Sequence, residues 1–338
     1  MIILGIDTSC DETAAAVLHN ENNILSNVIS SQGIHTAYGG VVPELASRAH
    51  LTLLLPAVES ALEQASIGLK DLDAIAVTYG PGLSGCLLIG LSMAKSIALA
   101  IDKPLVGVNH IEGHIFAGRL AGKNLEPPFI ALIVSGGHTQ LVYVKDWGIY
   151  QMLGYTRDDA AGEAFDKVAR LMKIGYPGGP IIDRLSRNGD PKFIDFPRTY
   201  LDPKGFEFSF SGLKTAVRTY LAKCSEDEIT LEKNHIAASF QEAIVDVLVD
   251  KSIAAAVGVG AKNILITGGV ACNGRLRERM TQKGAENSLG VIYPPPILCT
   301  DNGAMIAAVG SYYFGRGKKD GPTLSVHPRA RLPNISNT

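Results

Sequence analysis

The chain has 338 residues, and at roughly 150 residues per domain this length predicts two packed units. Lys and Arg total 31 against 33 Asp and Glu, so the formal net charge is −2, with 46% hydrophobic and 19% charged residues. This composition excludes a disordered chain, and the near-neutral charge gives no overall sign of a nucleic-acid partner. Glycine is in excess, at 36 residues or about 11% against a usual ~7%, without the period of collagen.

The beginning of the chain and its most apolar stretch bear on targeting. Residues 1–7 have no basic start, so we expect no secretory signal there. The stretch Gly85–Ile101 contains Lys95 and is short for a span, which predicts a buried helix and no membrane segment. The five cysteines show no C-x-x-C spacing, so we expect free thiols in a cytoplasmic protein.

Short apolar runs alternate with longer helical patterns along the chain, which predicts α/β architecture. Strands are predicted at Ile2–Asp7, Ala74–Thr78, Leu105–Val108, Phe129–Val134 and Asn263–Thr267. Helices are predicted at Pro43–Ala65 with a kink at Pro56, Leu83–Ala100, Ile111–Leu120, Ala160–Met172, Ile229–Val257 and Asn302–Tyr313.

Two segments repeat one pattern: an apolar run, a small polar turn and a second apolar run. The first is Leu4–Ser9 followed by Ala14–Leu18, and the second is Ile133–His138 followed by Gln140–Val144. The repetition predicts a duplicated, two-lobed fold with a cleft between the lobes. The alternative is that any α/β protein can contain two such hairpins.

Glycines cluster in four turns that we expect at strand ends: Tyr79–Gly82, Ser135–Gly137, Pro177–Pro180 and Thr267–Val270. Because glycine lets a backbone approach a phosphate and point N–H groups at it, these turns predict a nucleotide or phosphate site. The alternative is that they are simply tight turns. No P-loop motif occurs, and no G-x-G-x-x-G motif follows the first predicted strand, which disfavours a dinucleotide-binding fold.

A pair of histidines, His110 and His114, is spaced to lie on one face of a helix within reach of one cation. A zinc protease would need Glu directly after the first His, where this chain has Ile111. Asp301 is a candidate third ligand, and its alternative role is to cap the last helix.

Further polar candidates lie in the first hairpin and in the second half of the chain. Asp7 ends an apolar strand, where an acid is costly unless it meets a ligand or hydrogen-bond donors. Glu163 and Asp166 share a helix face that can serve a pair of substrate hydroxyls or be simply exposed. Asn273 can hold a base or ribose, or cap a helix. Two basic clusters can contact phosphates or be solvated surface: Arg275, Arg277 and Arg279; and Arg316, Lys318, Lys319, Arg329 and Arg331.

Several motifs occur in a specific order: Gly5–Thr13, Gly39–Arg48, His110–His114, Val134–Thr139, Tyr176–Pro180, Phe208–Lys214 and Cys299–Gly303. In this ordered set the chain resembles the TsaD family of tRNA threonylcarbamoyladenosine biosynthesis proteins, in its bacterial form. The resemblance extends over essentially the whole chain.

The resemblance implies a fold of the actin, hexokinase and heat-shock ATPase type, with two related lobes around a nucleotide cleft. We expect a first lobe at 1–127, with 302–325 packing back on it, a second lobe at 128–301 and a tail at 326–338. The implied reaction moves threonylcarbamoyl from threonylcarbamoyl-adenylate to the exocyclic amine of the adenosine 3′ to the anticodon, in tRNAs reading codons that begin with A.

The resemblance also implies roles for individual residues. One iron or zinc ion per subunit would be held by His110, His114 and Asp301. The substrate would meet Ile133, Val134, Ser135, Gly136 and Gly137 at its phosphate, Asp166, Gly179 and Asp183 at its ribose, and Asn273 at its base. As a separate mechanistic hypothesis, the catalytic group that accepts the amine proton would be Asp11 or Glu12.

Implied partners are tRNA, a paralogous TsaB-like subunit, a small TsaE-like ATPase and an upstream synthase that supplies the adenylate; ATP is a further candidate ligand. Two other enzyme functions compete, a small-molecule kinase of the same fold class and a metalloprotease, as does a non-catalytic scaffold. The kinase does not require the His110/His114 pair, and Ile111 argues against the protease.

Overall fold

The computed structural model describes residues 1–122, 125–200 and 205–336. Contacts along the chain divide it into two units. The first unit comprises Met1–Asn124 and Ile297–Asn334, and the second comprises Leu125–Pro296 and Ile335–Thr338. Among the described residues, no helix is both long and apolar enough to cross a membrane.

The first unit is built on one β-sheet with helices packed against it. Its strands are β1 (Ile2–Asp7), β2 (Glu12–His19), β3 (Asn23–Ser31), β4 (Ala74–Gly80) and β5 (Leu105–Asn109). Its helices are α1 (Pro43–Gln64), α2 (Ser84–Ala100), α3 (His110–Phe116) and α10 (Gly303–Phe314).

The second unit holds a second sheet and most of the remaining helices. Its strands are β6 (Phe129–Val134), β7 (Thr139–Asp146), β8 (Ile149–Tyr155), β9 (Asn263–Thr267), β10 (Gly290–Ile292) and β11 (Ile335–Ser336). Its helices are α4 (Ala161–Leu171), α5 (Gly178–Ser186), α6 (Ser211–Leu221), α7 (Glu226–Val259) and α8 (Gly274–Glu286); the single turn α9 (Pro296–Cys299) leads back to the first unit.

The two sheets share one topology over the described residues. The first has strand order β3-β2-β1-β4-β5, and the second has β8-β7-β6-β9-β10 with the two-residue β11 added beside β8. In each, the first three strands are antiparallel neighbours and the last two are parallel. The duplication predicted from the two hairpins is therefore confirmed, while the cleft stays a prediction.

The core of the first unit follows from the alternation of side chains along β1. Leu4 and Ile6 point into an apolar cluster with α1 and α2, whereas Gly5 meets α10 on the other face. The sheet is therefore covered on both faces, which explains why its strands read as continuous apolar runs.

All five predicted strands are present, and the six predicted helices are present with different ends, whereas α5, α6 and α8 were not predicted. The helix predicted at Ile111–Leu120 is His110–Phe116, because the side chain of Asn109 accepts from the first helical amides. The helix predicted from Ile229 begins at Glu226, where Ser225 and Glu228 form a capping box. Periodicity locates the apolar face, but caps decide where a helix begins.

The segment predicted as a tail, 326–338, includes residues held firmly in the first unit. The amide of His327 donates to the carbonyl of Tyr79 at 2.8 Å, and Gly82 donates to the carbonyl of Pro328 at 3.2 Å. Residues 326–334 thus fall in the first unit, as do residues 297–301, which the prediction had placed in the second lobe.

Candidate metal centre and substrate-binding residues

The two candidate histidines lie on the short helix α3, directly after β5. The side chain of Asn109 accepts from the amides of Ile111 at 3.0 Å and Glu112 at 3.3 Å, which fixes the start of the helix at His110. The rings of His110 and His114 lie edge to face with centroids 4.8 Å apart, and both are buried. The predicted i, i+4 arrangement is therefore present.

Asp301 reaches the histidines because α10 begins in close contact with the sheet. A Cβ on Gly5 would lie 2.3 Å from the carbonyl oxygen of Gly303, and one on Gly303 would lie 2.6 Å from the amide nitrogen of Ala16. Only glycine at both positions allows this approach. The helix cap is Asn302, which accepts from Met305 at 2.9 Å, so the capping role proposed as an alternative for Asp301 belongs to its neighbour.

The three side chains form a compact cluster of ligand-type atoms. Oδ1 of Asp301 lies 3.2 Å from Nε2 of His114 and 3.5 Å from Nε2 of His110. One ligand atom from each residue lies within 4.8 Å of the other two. Two imidazoles and a carboxylate are a donor set that suits iron or zinc.

The charge state of this cluster is set by its burial and its carboxylates. Burial lowers the pKa of His110, but the carboxylates of Asp301 and Asp7 outweigh it and hold that pKa well above its usual value. Burial opposes ionisation of Asp301, but His110 and His114 hold its pKa well below the usual range. Without a cation, the cluster is therefore an ion pair of protonated His110 with ionised Asp301.

Asp7 stands behind His110 in the position of an outer ligand. Its Oδ2 lies 3.2 Å from Nδ1 of His110, while its Oδ1 accepts from the amide of Ser9 at 3.2 Å. A carboxylate on the far ring nitrogen fixes the tautomer that leaves Nε2 for a metal. A carboxylate at the end of an apolar strand is costly unless it has partners. Asp7 has two, the amide of Ser9 and the candidate metal ligand His110.

The residues present fit a metal ion. Both ring nitrogens of His114 are buried, and neither has a hydrogen-bond partner within the described residues; its one close polar neighbour is Asp301. Buried polar atoms without hydrogen bonds are costly, and coordination would satisfy Nε2. Glu112, on the same helix, is instead engaged by the hydroxyl of Tyr313 at 2.7 Å.

The predicted proton acceptors, Asp11 and Glu12, lie in and just after the turn between β1 and β2. Burial, followed by the charges of Asp11 and Asp301, raises the pKa of Glu12 to about 8, and Ser31 donates to its Oε1 at 3.1 Å. The same causes raise the pKa of the Cys10 thiol well above its usual value, so this thiol stays protonated.

His50, on α1, contacts this turn and was not singled out from the sequence. Its Nε2 lies 2.9 Å from the carbonyl oxygen of Cys10 and its Nδ1 lies 2.7 Å from Oγ1 of Thr13, so it spans both ends of the turn. Burial lowers its pKa, which keeps the ring neutral. No spacing signal marks His50, because its partners are distant in sequence.

In the second unit, the predicted phosphate turn joins β6 to β7. Ile133 and Val134 are buried strand residues, whereas Gly136 and Gly137 are exposed and have open space where a Cβ would stand. The carbonyl of Ser135 accepts from the amide of Gly162 at the start of α4. Of the five predicted residues, Gly136 and Gly137 are the exposed part.

The predicted ribose residues Asp166 and Gly179 lie on neighbouring helices. Oδ1 of Asp166 accepts from the amide of Gly178 at 2.7 Å, and Gly179 has open space around its Cβ position. Glu163, the other acid of that helix face, instead pairs with Lys167 at 2.8 Å. The two acids therefore do not act as a matched pair for hydroxyls.

The side chains of Asp183 and Asn273 both accept hydrogen bonds from backbone amides at the start of α8. Oδ1 of Asp183 accepts from the amide of Gly274 at 3.0 Å and its Oδ2 accepts from Arg187 at 2.9 Å. Asn273 caps α8 by accepting from Leu276 at 2.9 Å and donates to Gln241 at 2.7 Å. Both side chains are largely engaged within the protein, so the capping alternative for Asn273 is present.

Comparison with known proteins supplies the functional context for this geometry. A family model described as TsaD: tRNA N6-adenosine threonylcarbamoyltransferase matches residues 23–308. A curated protein named tRNA N6-adenosine threonylcarbamoyltransferase from Clostridioides difficile (strain 630) is 53% identical over 335 residues, covering 98% of each chain. One of the same name from Syntrophus aciditrophicus (strain SB) is 50% identical over 334 residues, again covering 98% of each.

Solved structures of lower identity share the fold. The chain matches T. kodakarensis HypF with a TM-score of 0.63 at 16% identity, covering 93% of this chain and 48% of that one. It matches component A of the Acidaminococcus fermentans (R)-2-hydroxyglutaryl-CoA dehydratase with a TM-score of 0.56 at 16% identity, covering 94% and 99%. The predicted actin/hexokinase/heat-shock ATPase-like fold class is confirmed.

Proposed function

The chain belongs to the TsaD family of tRNA N6-adenosine threonylcarbamoyltransferases, an enzyme family that modifies tRNA, and on this premise we propose how its residues serve the transfer. The donor is threonylcarbamoyl-adenylate, and the acceptor is the adenosine 3′ to the anticodon in tRNAs reading codons that begin with A. The observation that carries the proposal is the cluster of His110, His114 and Asp301 with Asp7 behind it.

The reaction replaces one bond to the carbamoyl carbon by another. The exocyclic nitrogen of adenosine forms a bond to that carbon, the bond from the carbon to the phosphate oxygen breaks, and AMP leaves with the bonding electron pair. The nitrogen loses one proton to a base. Because this nitrogen's lone pair is delocalised into the ring, it is a poor nucleophile, and the protein contributes chiefly by positioning and by stabilising charge.

His110, His114 and Asp301 would hold one iron or zinc ion. When bound, the ion supplies a Lewis acid that polarises a carbonyl oxygen. The role of Asp7 is to orient the His110 ring through Nδ1, 3.2 Å away. The buried surroundings of His110 and His114 exclude water and so strengthen every charge interaction in the cluster.

Asp11 or Glu12 accepts the proton from the adenosine amine. Support for Glu12 comes from its pKa of about 8, because a general base works best when its pKa lies near the pH at which the enzyme operates. His50 positions the turn that carries both acids by contacting the carbonyl of Cys10. Its neutral ring allows this without adding charge.

The second unit contributes the nucleotide-binding residues in this proposal. Gly136 and Gly137 offer their backbone N–H groups to the phosphate, whereas the amide of Ser135 already donates to the carbonyl of His138 at 2.8 Å. Ile133 and Val134 anchor this turn as buried strand. Asp166, Gly179 and Asp183 serve the ribose and Asn273 the base. The engagement of Asn273 with Gln241 and Leu276 leaves it one amide hydrogen for that contact.

The proposed partners follow from the same premise. A TsaB-like subunit, a TsaE-like ATPase and an upstream synthase act with this chain, and ATP is a further ligand of the complex. No observation favours the kinase or the scaffold. A metalloprotease lacks its base, because Ile111 follows His110 and Glu112 is engaged by Tyr313.

The test is the double variant His110→Ala/His114→Ala, with His19→Ala at the end of β2 as the control. Unmodified tRNA is incubated with the protein, its partners, threonine, bicarbonate and ATP, and the nucleosides are analysed by mass. We expect the double variant to lose both bound metal and threonylcarbamoyladenosine, while the control keeps both. A double variant with full metal content and full transfer would overturn the assignment.

A further inference from the structure

The first unit also contains a pocket of about 830 Å³ beside β4 and β5. Its wall includes Tyr79 and Gly107 from the strands and residues from the C-terminal segment 318–331. No residue of the metal cluster and no residue proposed for the adenylate lines it, whereas part of the second basic cluster does. The pocket is therefore separate from the metal cluster in its lining, although both belong to the first unit.

The C-terminal segment occupies the glycine turn Tyr79–Gly82, one of the four predicted phosphate turns. The amide of Gly82 donates to the carbonyl of Pro328, and that of His327 donates to the carbonyl of Tyr79. A Cβ on Gly80 would lie 2.0 Å from the carbonyl oxygen of His327. The glycines of this turn thus accommodate the chain's own backbone, and any anion must be bound by side chains.

Most of the charged side chains that line the pocket are basic. Lys318, Arg329 and Arg331 line the pocket with a single carboxylate, Asp320. Asp320 accepts from the amide of Gly107 at 2.7 Å and lies 3.7 Å from Lys318, so its charge is already engaged. Arg329 and Arg331 are exposed, and within the described residues neither side chain has an ion pair or a hydrogen bond.

Other arginines of this region are paired, which sets Arg329 and Arg331 apart. Arg316, only a short way back along the chain, lies 3.8 Å from Glu21 and stacks over the ring of Tyr312. Arg119 also pairs with Glu21. Two unpaired guanidinium groups that line one pocket suit phosphate groups, because the planar guanidinium can bind two phosphate oxygens in a fork geometry.

The backbone connects this basic segment to the metal helix. The side-chain amide of Asn109 donates to the carbonyl of Arg331 at 2.9 Å, while its Oδ1 caps the helix that carries His110 and His114. Asn109 therefore ties the position of Arg331 to the start of α3. An anion held by the arginines would lie in the same unit as the reacting groups and in a fixed relation to them.

We propose that the pocket lined by Lys318, Arg329 and Arg331 binds the phosphodiester backbone of the tRNA substrate. This rests on the tRNA-modifying activity of the family. An RNA backbone fits better than a mononucleotide, because the two arginines are exposed and present charge without the enclosed apolar slot that a single base needs. Local charge of this kind is invisible in the net charge of −2 for the whole chain.

The experiment compares Arg329→Gln/Arg331→Gln with the control Lys70→Gln/Lys145→Gln, which removes two exposed charges elsewhere. The affinity of the full-length protein for unmodified tRNA, alone and with its partner subunits, is measured across a salt series. We expect the arginine variant to bind about tenfold more weakly or worse and to lose between about one and two from the slope of log affinity against log salt. The control keeps the wild-type slope.

Two further measurements keep the outcomes distinct. Metal content and transfer at saturating tRNA should match wild type in the arginine variant, with the loss confined to KM for tRNA. An unchanged affinity and salt slope, or a variant that instead loses binding of AMP or inorganic phosphate with tRNA binding intact, would overturn the inference. If wild type itself fails to modify tRNA with active partners, the proposed function fails instead.

Discussion

Oδ2 of Asp7 lies 3.2 Å from Nδ1 of His110, on the side of the ring opposite Asp301. When a buried imidazole lies between two carboxylates, a hydrogen bond at one ring nitrogen orients the ring, and the other nitrogen is available to bind a metal. Asp7 ends β1 and His110 begins α3, so the arrangement depends on the sheet order that places β1, β4 and β5 side by side.

Asp7→Asn should weaken metal binding by about 10- to 100-fold, because the amide no longer accepts strongly from Nδ1 of His110. The affinity is measured by competition with a chelator of known strength. Ser9→Ala is the control, since it removes only the hydroxyl that donates to Asp7 at 3.4 Å. An Asp7→Asn protein with wild-type affinity would show that this carboxylate does not orient the ligand.

Metal binding should release about one proton at neutral pH. The pKa of His110 is held well above its usual value by Asp301 and Asp7 against the effect of burial, whereas a ligand imidazole must be neutral. Affinity should therefore rise with pH, by about tenfold per unit while pH stays below that pKa. Calorimetry in two buffers of different ionisation enthalpy measures the release, and heats that do not depend on the buffer would contradict it.

Glu12→Gln should remove a pH dependence from the stability of the metal-free protein. The pKa of Glu12 is about 8 in the folded chain against an ordinary 4.5, so the folded state binds the proton more tightly. Its contribution is fully present below about pH 4.5 and is lost as pH rises towards 8. At pH 8.5 the variant should exceed wild type by about 1–3 kcal/mol in the free energy of unfolding, and at pH 4 the two should be alike.

Denaturant unfolding at both pH values measures this difference. The exposed acid Glu44, which pairs with Arg48 on α1, supplies the control Glu44→Gln with no such pH dependence. Equal stabilities of Glu12→Gln and wild type at pH 8.5 would show that Glu12 ionises as an ordinary surface acid.

Substitution by alanine should affect stability differently at two glycines in and beside the phosphate turn. A Cβ on Gly136 meets nothing within 4 Å, whereas one on Gly162 would lie 2.6 Å from the carbonyl oxygen of Ser135. Gly136→Ala should therefore keep the stability of wild type, and Gly162→Ala should lose about 1–3 kcal/mol through displacement of the turn. Thermal unfolding checks the difference, and a Gly162→Ala protein as stable as wild type would contradict the close packing.

The sequence predicted those features of the fold that depend on near neighbours in the chain. The strands β1 and β6 with their hairpins follow from apolar runs and small turns, and the His110/His114 pair follows from helical spacing. Helix starts were predicted less well, because Ser225 and Asn109 cap their helices through side-chain hydrogen bonds that periodicity does not register. His50 escaped notice because its partners, Cys10 and Thr13, lie on another element.

By itself the sequence determined the duplicated hairpins, the histidine pair and, through its ordered motifs, the family. Only the tertiary structure decided that Asp301 faces the histidines while Asn302 caps the helix, and that residues 327–330 fold onto the turn at Gly80. The reason is physical. Local patterns report the periodicity of one element, whereas these contacts require glycine backbones from distant parts of the chain to approach within the space of a missing Cβ.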